Sequence, residues 1–152
     1  MFDLTTLLTS IPSLLNAIDS RISESRGIER SLLLELETNI GIIQPFITDE
    51  INIDKVIQQL DITSMQTAIG TGYKFNSINR GTVAPDIVGC NRQLMRYVGW
   101  STEKLFLSIY EKIKVLKKVV EIAPENQNIR KQVRLNNILL LMALLVKHIE
   151  AD

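Results

Sequence analysis

His148 is the only histidine of the chain and Cys90 its only cysteine. A thiolate–imidazole nucleophile needs the two in hydrogen-bond reach of each other. They stand far apart in the sequence, so only the fold can bring them together. The plainer assignment is a small buried thiol and a helix-end histidine whose charge suits the C-terminal end of the helix dipole. One histidine does not make a His-rich metal site. The Glu-x-x-His pair of helical dimetal centres does not occur. Glu35 and Glu37 are two positions apart, which sends them to different sides of a helix. No metal and no cofactor is expected.

The run Gly70-Thr71-Gly72-Tyr73-Lys74 has the glycines of a phosphate loop without its pattern. A Walker loop needs Gly-Lys-Ser/Thr at its end, and a dinucleotide fingerprint needs a third glycine where Phe75 stands. A loop or helix-end role for these glycines is expected instead. The chain reads as leaning away from an enzyme. An unusual active site would lie near Tyr73 and Arg80, where polar side chains collect.

Small helical bundles of this length include the HEPN ribonucleases, whose motif sets an arginine a few residues before a histidine on one helix. Here Arg134 precedes His148 by fourteen positions. The catalytic pattern is absent, and a catalytically inactive HEPN-like bundle remains as an alternative on fold analogy alone.

Basic residues are grouped. Lys104, Lys112, Lys114, Lys117 and Lys118 fall on one segment, and Arg130, Lys131 and Arg134 open the next. A shared surface of these side chains would meet nucleic acid through its phosphates, with an affinity that falls with salt. Aromatic residues make up 5% of the chain, which leaves little for base stacking. Over the whole chain 17 bases balance 17 acids, which argues against a strongly cationic binder. The balance is uneven along it. Residues 1–80 hold ten acids and six bases, net −4, and residues 81–152 hold seven acids and eleven bases, net +4.

The elements that must position these groups are helical. With 152 residues, 45% of them hydrophobic, the chain is expected to form one domain over residues 1–152 with a core of its own. Leu4, Leu7, Ile11, Leu14 and Ile18 follow a 3–4 spacing that predicts a first helix, broken or kinked near Pro12. Leu33, Leu36, Ile40, Ile43 and Ile47 predict a second, stopped by Pro45. Gly27 between them reads as the turn of a helical hairpin. Asn52 can cap a short helix through Leu60. Thr63 or Ser64 can cap another, with Met65, Ala68, Ile69 and Tyr73 on one face. Tyr73 to Ala84 reads as an ordered loop or a distorted helix end.

Pro85 opens a further helix with Ile87, Asn91, Leu94 and Val98 on one face, ending at Gly99. Ser101 or Thr102 restarts the chain into a helix with Phe106, Ile109, Ile113, Leu116 and Val120 inward, ended by Ala123-Pro124. The aromatic residues Tyr97, Trp100, Phe106 and Tyr110 gather near the Gly99 break. The last helix is expected over 125–149, with Ile129, Val133, Leu140 and Leu144 in register. The fold class is therefore all-α, an antiparallel bundle of four to five main helices.

That last helix is the most informative stretch. Ile138 to Val146 are nine apolar residues in a row. An ordinary surface helix buries one stripe. Full encirclement by so few helices looks difficult, which points to a partner chain covering Leu139, Met142, Leu145 and Val146. The expected function is contact with other proteins, self-association above all, with nucleic-acid association as the alternative. A bilayer needs about 20 apolar residues, so no transmembrane segment is expected. A lone cysteine and an acidic start, Met1-Phe2-Asp3-Leu4, suggest a cytoplasmic protein.

Overall fold

The computed structural model describes residues 4–48, 52–89, 91–124 and 130–151, with side chains in the first segment described from residue 9 to residue 45. The chain runs through α1 (Leu4–Glu24), α2 (Gly27–Thr48), α3 (Ile53–Gln59) and α4 (Thr63–Gly70), then a 3-10 turn at Phe75–Ser77. It continues through α5 (Pro85–Val88), α6 (Arg92–Met95), α7 (Thr102–Ile122) and α8 (Lys131–Glu150). The fold is all-α. No strand occurs among the described residues, and a single antiparallel bridge joins Thr82 to Ser101.

The apolar spacing of α1, α2 and α7 does what it predicts. Ile11, Leu14, Ile18 and Ile22 are buried, as are Leu33, Leu36, Ile40 and Ile43. On α7 the inward row is Phe106, Ile109, Ile113, Leu116 and Val120. Leu4, Leu7, Leu8 and Ile47, assigned to the same stripes, lie outside the described side chains, as Ile129 and Cys90 lie outside the described residues.

Neither of two prolines ends its helix. Helix α1 is not broken at Pro12 but passes through it, and α2 continues past Pro45 to Thr48. A helix-interior proline loses one i→i−4 hydrogen bond. Ile11 just before Pro12 and Leu14, Ile18 and Ile22 after it are buried in one register, and that packing outweighs the loss.

The region after Pro85 also departs from expectation. In place of one helix there are two single turns, α5 and α6. They are separated at Gly89, whose φ of 63° lies in the left-handed region, and Asn91 caps α6 by accepting from Gln93 N and Leu94 N. The final helix starts at Lys131, after Arg130 with a φ of 52°. Of the described residues of its expected stripe, only Leu144 is fully buried. Val133 is 52% exposed, and Leu140 is only partly buried. Ile69, placed inward on α4, is 40% exposed.

The decisive feature is the place of α8. It packs against α1, α2, α3, α5 and α7. Leu141, Met142, Ala143, Leu144, Leu145 and Val146 are six consecutive buried residues, with Ile138 and Leu139 before them. The all-round burial is real, and its cause lies inside the chain. The short elements α3 and α5 close sides that the long helices leave open. The expectation that Leu139, Met142, Leu145 and Val146 meet a partner is thereby corrected, because Leu139, Met142 and Leu145 are 0% exposed in the lone subunit. Helix α8 is also long and apolar enough to cross a membrane, the only such helix among the described residues. Here those apolar sides pack on the chain's own helices.

Candidate functional site

Helices α7 and α8 run antiparallel. Thr102, at the start of α7, meets His148 near the end of α8, and further along Lys112 of α7 and Asn137 of α8 line the same cleft. Ser101 caps α7 by accepting from Lys104 N at 3.2 Å. The first turn of α7 is thus fixed where it meets the last turn of α8.

A buried polar cluster joins these ends. The Thr102 hydroxyl donates to Asn79 O at 2.7 Å, and Thr102 Oγ1 lies 2.9 Å from His148 Nε2. A hydroxyl has one proton. With that proton on Asn79 O, the hydroxyl oxygen accepts from Nε2–H, which assigns the tautomer. Asn79 Nδ2 in turn donates to His148 O at 2.8 Å, and Asn79 Oδ1 accepts from Gly81 N at 2.7 Å. Thr102 is 0% and His148 1% exposed. The cluster holds the loop of residues 78–81 against both helices. Its histidine is engaged in the core and offers no face to a substrate.

Arg134 and His148 are about 21 Å apart along α8, at about 1.5 Å per residue. The HEPN-type pairing is thus absent in space as well as in sequence. The glycines of Gly70–Lys74 end a helix. Gly72 has a φ of 70°, Tyr73 N donates to Ala68 O at 2.9 Å, and Gly72 N donates to Ile69 O at 3.2 Å. This is the paired closure of a Schellman motif, and it uses the backbone groups a phosphate would need. Tyr73 packs edge-on against Phe75, while Arg80 is exposed. Among the described residues no group of three metal-ligating side chains comes together.

Carboxylates that looked idle in the sequence turn out to be structural. Glu35 accepts from Ser64 N at 2.7 Å and Met65 N at 3.0 Å, so α2 caps the start of α4. Burial pushes its carboxyl up to about 7, against the pull of those two N–H groups. Glu37 is also held up to about 7, first by a hydrogen bond with Asp19 of α1 and then by burial. The two glutamates do face different neighbours, as their spacing requires. Asn39 donates to Asp61 O and accepts from Asp61 N, at 2.8 and 2.9 Å, pinning α2 to the α3–α4 turn. Asp61 accepts from the Thr63 hydroxyl and backbone N–H, which hold its carboxyl below its usual range. No periodicity argument reaches the Glu35 and Asn39 contacts, because each joins residues from separate elements; only the Asp61–Thr63 cap is local.

The basic set divides on folding. Lys131 is buried and pairs with Asp54 of α3 at 2.8 Å, so it is not a nucleic-acid contact. Lys117 donates to Gln58 O at 3.0 Å and to Leu60 O, closing the C-terminus of α3. Lys118 pairs with Glu121 at 3.6 Å. Lys104 lies over the Trp100 ring at 4.3 Å and Lys114 over Tyr110 at 5.6 Å. Lys112, Arg130 and Arg134 are exposed. Glu103, Glu111 and Glu121 are exposed on α7 among the lysines, so the expected basic stripe is interrupted by acids. The aromatic group likewise splits in two. Tyr97 stacks edge-on with Trp100 at 4.7 Å, and Phe106 packs with Phe75 at 5.3 Å.

Among these exposed charged side chains the hairpin also presents three aliphatic ones. Val115 is 48%, Ile122 75% and Val133 52% exposed. Val115 and Ile122 are seven residues apart and share one side of α7. Beside Val115 a cavity of about 300 Å³ opens between the helices, lined by Glu111, Lys112, Val115, Arg134, Asn137 and Ile138. Sequence spacing could have flagged Val115 and Ile122, since both fall off the inward 3–4 row of α7. The cavity has no sequence signal.

Comparison with protein-family models, with curated proteins and with solved structures finds no match for this chain.

Proposed function

We propose that this protein is a non-enzymatic helical-bundle module that works through protein contacts, and that the contact is self-association through the outer side of the α7–α8 hairpin. The observation that carries the reading is the exposure of Val115, Ile122 and Val133 on a hairpin whose other apolar residues are buried or partly buried. Exposed aliphatic side chains near one another favour removal from water, at about 25 cal/mol per Å². Charge supports a second copy as the partner. The hairpin belongs to residues 81–152, net +4, whereas residues 1–80 carry net −4. Opposite surfaces of two copies attract, which speeds encounter and sets orientation.

The test is sedimentation velocity across a range of protein concentrations at low and high salt. Wild type is expected to associate, more strongly at low salt. Val115→Glu with Ile122→Glu is expected to leave a folded monomer. A wild type that stays monomeric at high micromolar concentration and low salt would overturn the reading.

A further inference from the structure

We infer that the cleft between α6, α7 and α8 binds a small amphipathic carboxylate, with its apolar body between α7 and α8 and its head at Lys112 and Asn137. The cleft has two chambers. The larger, about 300 Å³, is walled mainly by aliphatic groups, Val115 and Ile138 among them. The smaller, about 140 Å³, is walled mainly by polar groups and reaches Gln93, Arg96 and Tyr97. Lys112 and Asn137 line both, so they stand where the apolar chamber passes into the polar one. An apolar cavity with a few placed polar groups is the usual form of a small-molecule site, and about 300 Å³ is the small end of the usual range.

The sign of the head follows from the charges. Lys112, Arg134 and Arg96 face one acid, Glu111. Neither Lys112 nor Arg134 has a salt-bridge partner among the described residues. Arg96 is held in place, donating to Gln93 O at 3.2 Å with its guanidinium 5.4 Å from the Tyr97 ring centre. An ammonium and a side-chain amide at the junction can both donate to one carboxylate. A neutral head would gain nothing from the cations, and a cationic head would meet repulsion. Acetate, with a single methyl group, would leave the apolar chamber almost unfilled and is expected to bind weakly.

This inference does not rest on the self-association reading, although Val115 borders both surfaces. Ile122 lies outside the cleft and separates them.

The experiment is a titration of the full chain with decanoate, kept below its micelle-forming concentration, followed by amide chemical shifts. Decylamine, decanol and acetate serve as parallel probes, and vesicles of anionic phospholipid test whether a membrane supplies the head group instead. Saturable shifts confined to residues 93–97, 111–115 and 134–141 are expected. Decanoate should bind at least about tenfold tighter than decylamine or decanol, a difference of about 1.4 kcal/mol. Lys112→Gln should weaken decanoate several-fold, and Val115→Trp, which fills the larger chamber, should abolish it with the melting temperature unchanged. Ile122→Glu should leave decanoate affinity as it was, whatever it does to association. Unsaturable shifts spread over other helices, equal binding of decylamine, or full affinity in Val115→Trp would overturn the assignment. So would binding to vesicles without binding to free decanoate.

Discussion

Thr102 Oγ1 and His148 Nε2 lie 2.9 Å apart with neither residue in contact with water, and they tie the first turn of α7 to the last turn of α8. The pair also fixes the loop at Asn79, since the same hydroxyl donates to its carbonyl. Removing a buried hydroxyl orphans its partners, at a cost of about 1–3 kcal/mol. Thr102→Val should therefore lower the unfolding free energy measured in urea by that amount, and Thr102→Ser should recover most of it. Equal stability of the two variants would contradict the hydrogen-bonded assignment.

Lys131 and Asp54 form a second long-range tie, between α8 and α3, at 2.8 Å. Breaking one side leaves a buried charge, which typically costs about 3–5 kcal/mol. Lys131→Met is expected to destabilise strongly, and adding Asp54→Asn is expected to restore part of the loss. A double-mutant cycle in urea measures the coupling. Additive effects would show that the two side chains do not meet.

Stability should fall as pH rises. Glu35 and Glu37 both have folded-state values near 7, above the ordinary 4.5. A raised value means the folded state binds more protons, so the contribution is fully present below about 4.5 and lost by about 7. Asp61, held low, acts in the opposite sense and only at more acidic pH. Wild type should thus resist urea better at pH 5 than at pH 8. Glu37→Gln should narrow that gap, because its amide donates to Asp19 at either pH as the protonated carboxyl does. An unchanged gap would sink this assignment.

The apolar run of α8 separates two behaviours. Leu139 and Leu145 are enclosed by their own chain, where truncation costs about 2–5 kcal/mol and a charge costs more. Leu139→Glu should lose helicity outright. Val115→Glu, on the outer side of α7, should keep it. Circular dichroism on the two variants decides the matter, and a fully helical Leu139→Glu would contradict the fold.

The long helices were legible because burial of one stripe is written in local spacing. Leu33 to Ile43 and Phe106 to Val120 needed no partner to be recognised. The burial of α8 was legible too, but its cause was not. A run such as Ile138–Val146 says that nothing polar lies around it, without saying whether the cover is one chain or two. The cover comes from α1, α2 and α7 together with α3 and α5, short elements that periodicity marks weakly or misjoins. The apolar row from Ile87 to Val98 runs across Gly89, so spacing predicts one helix where the left-handed φ of Gly89 separates two. The site was the least legible part. Lys131 reads as one more surface base until α3 places Asp54 beside it, and the cleft at Lys112 and Asn137 exists only once α7 and α8 are paired.

The central claim is that the chain covers its own α8. Amide hydrogen exchange of residues 138–146, measured over a wide dilution series, tests it most directly. Enclosure within one subunit predicts protection that does not change with protein concentration, even where the hairpin's outer side dissociates from a second copy. Protection of 138–146 that collapses on dilution would show that another chain supplies the cover.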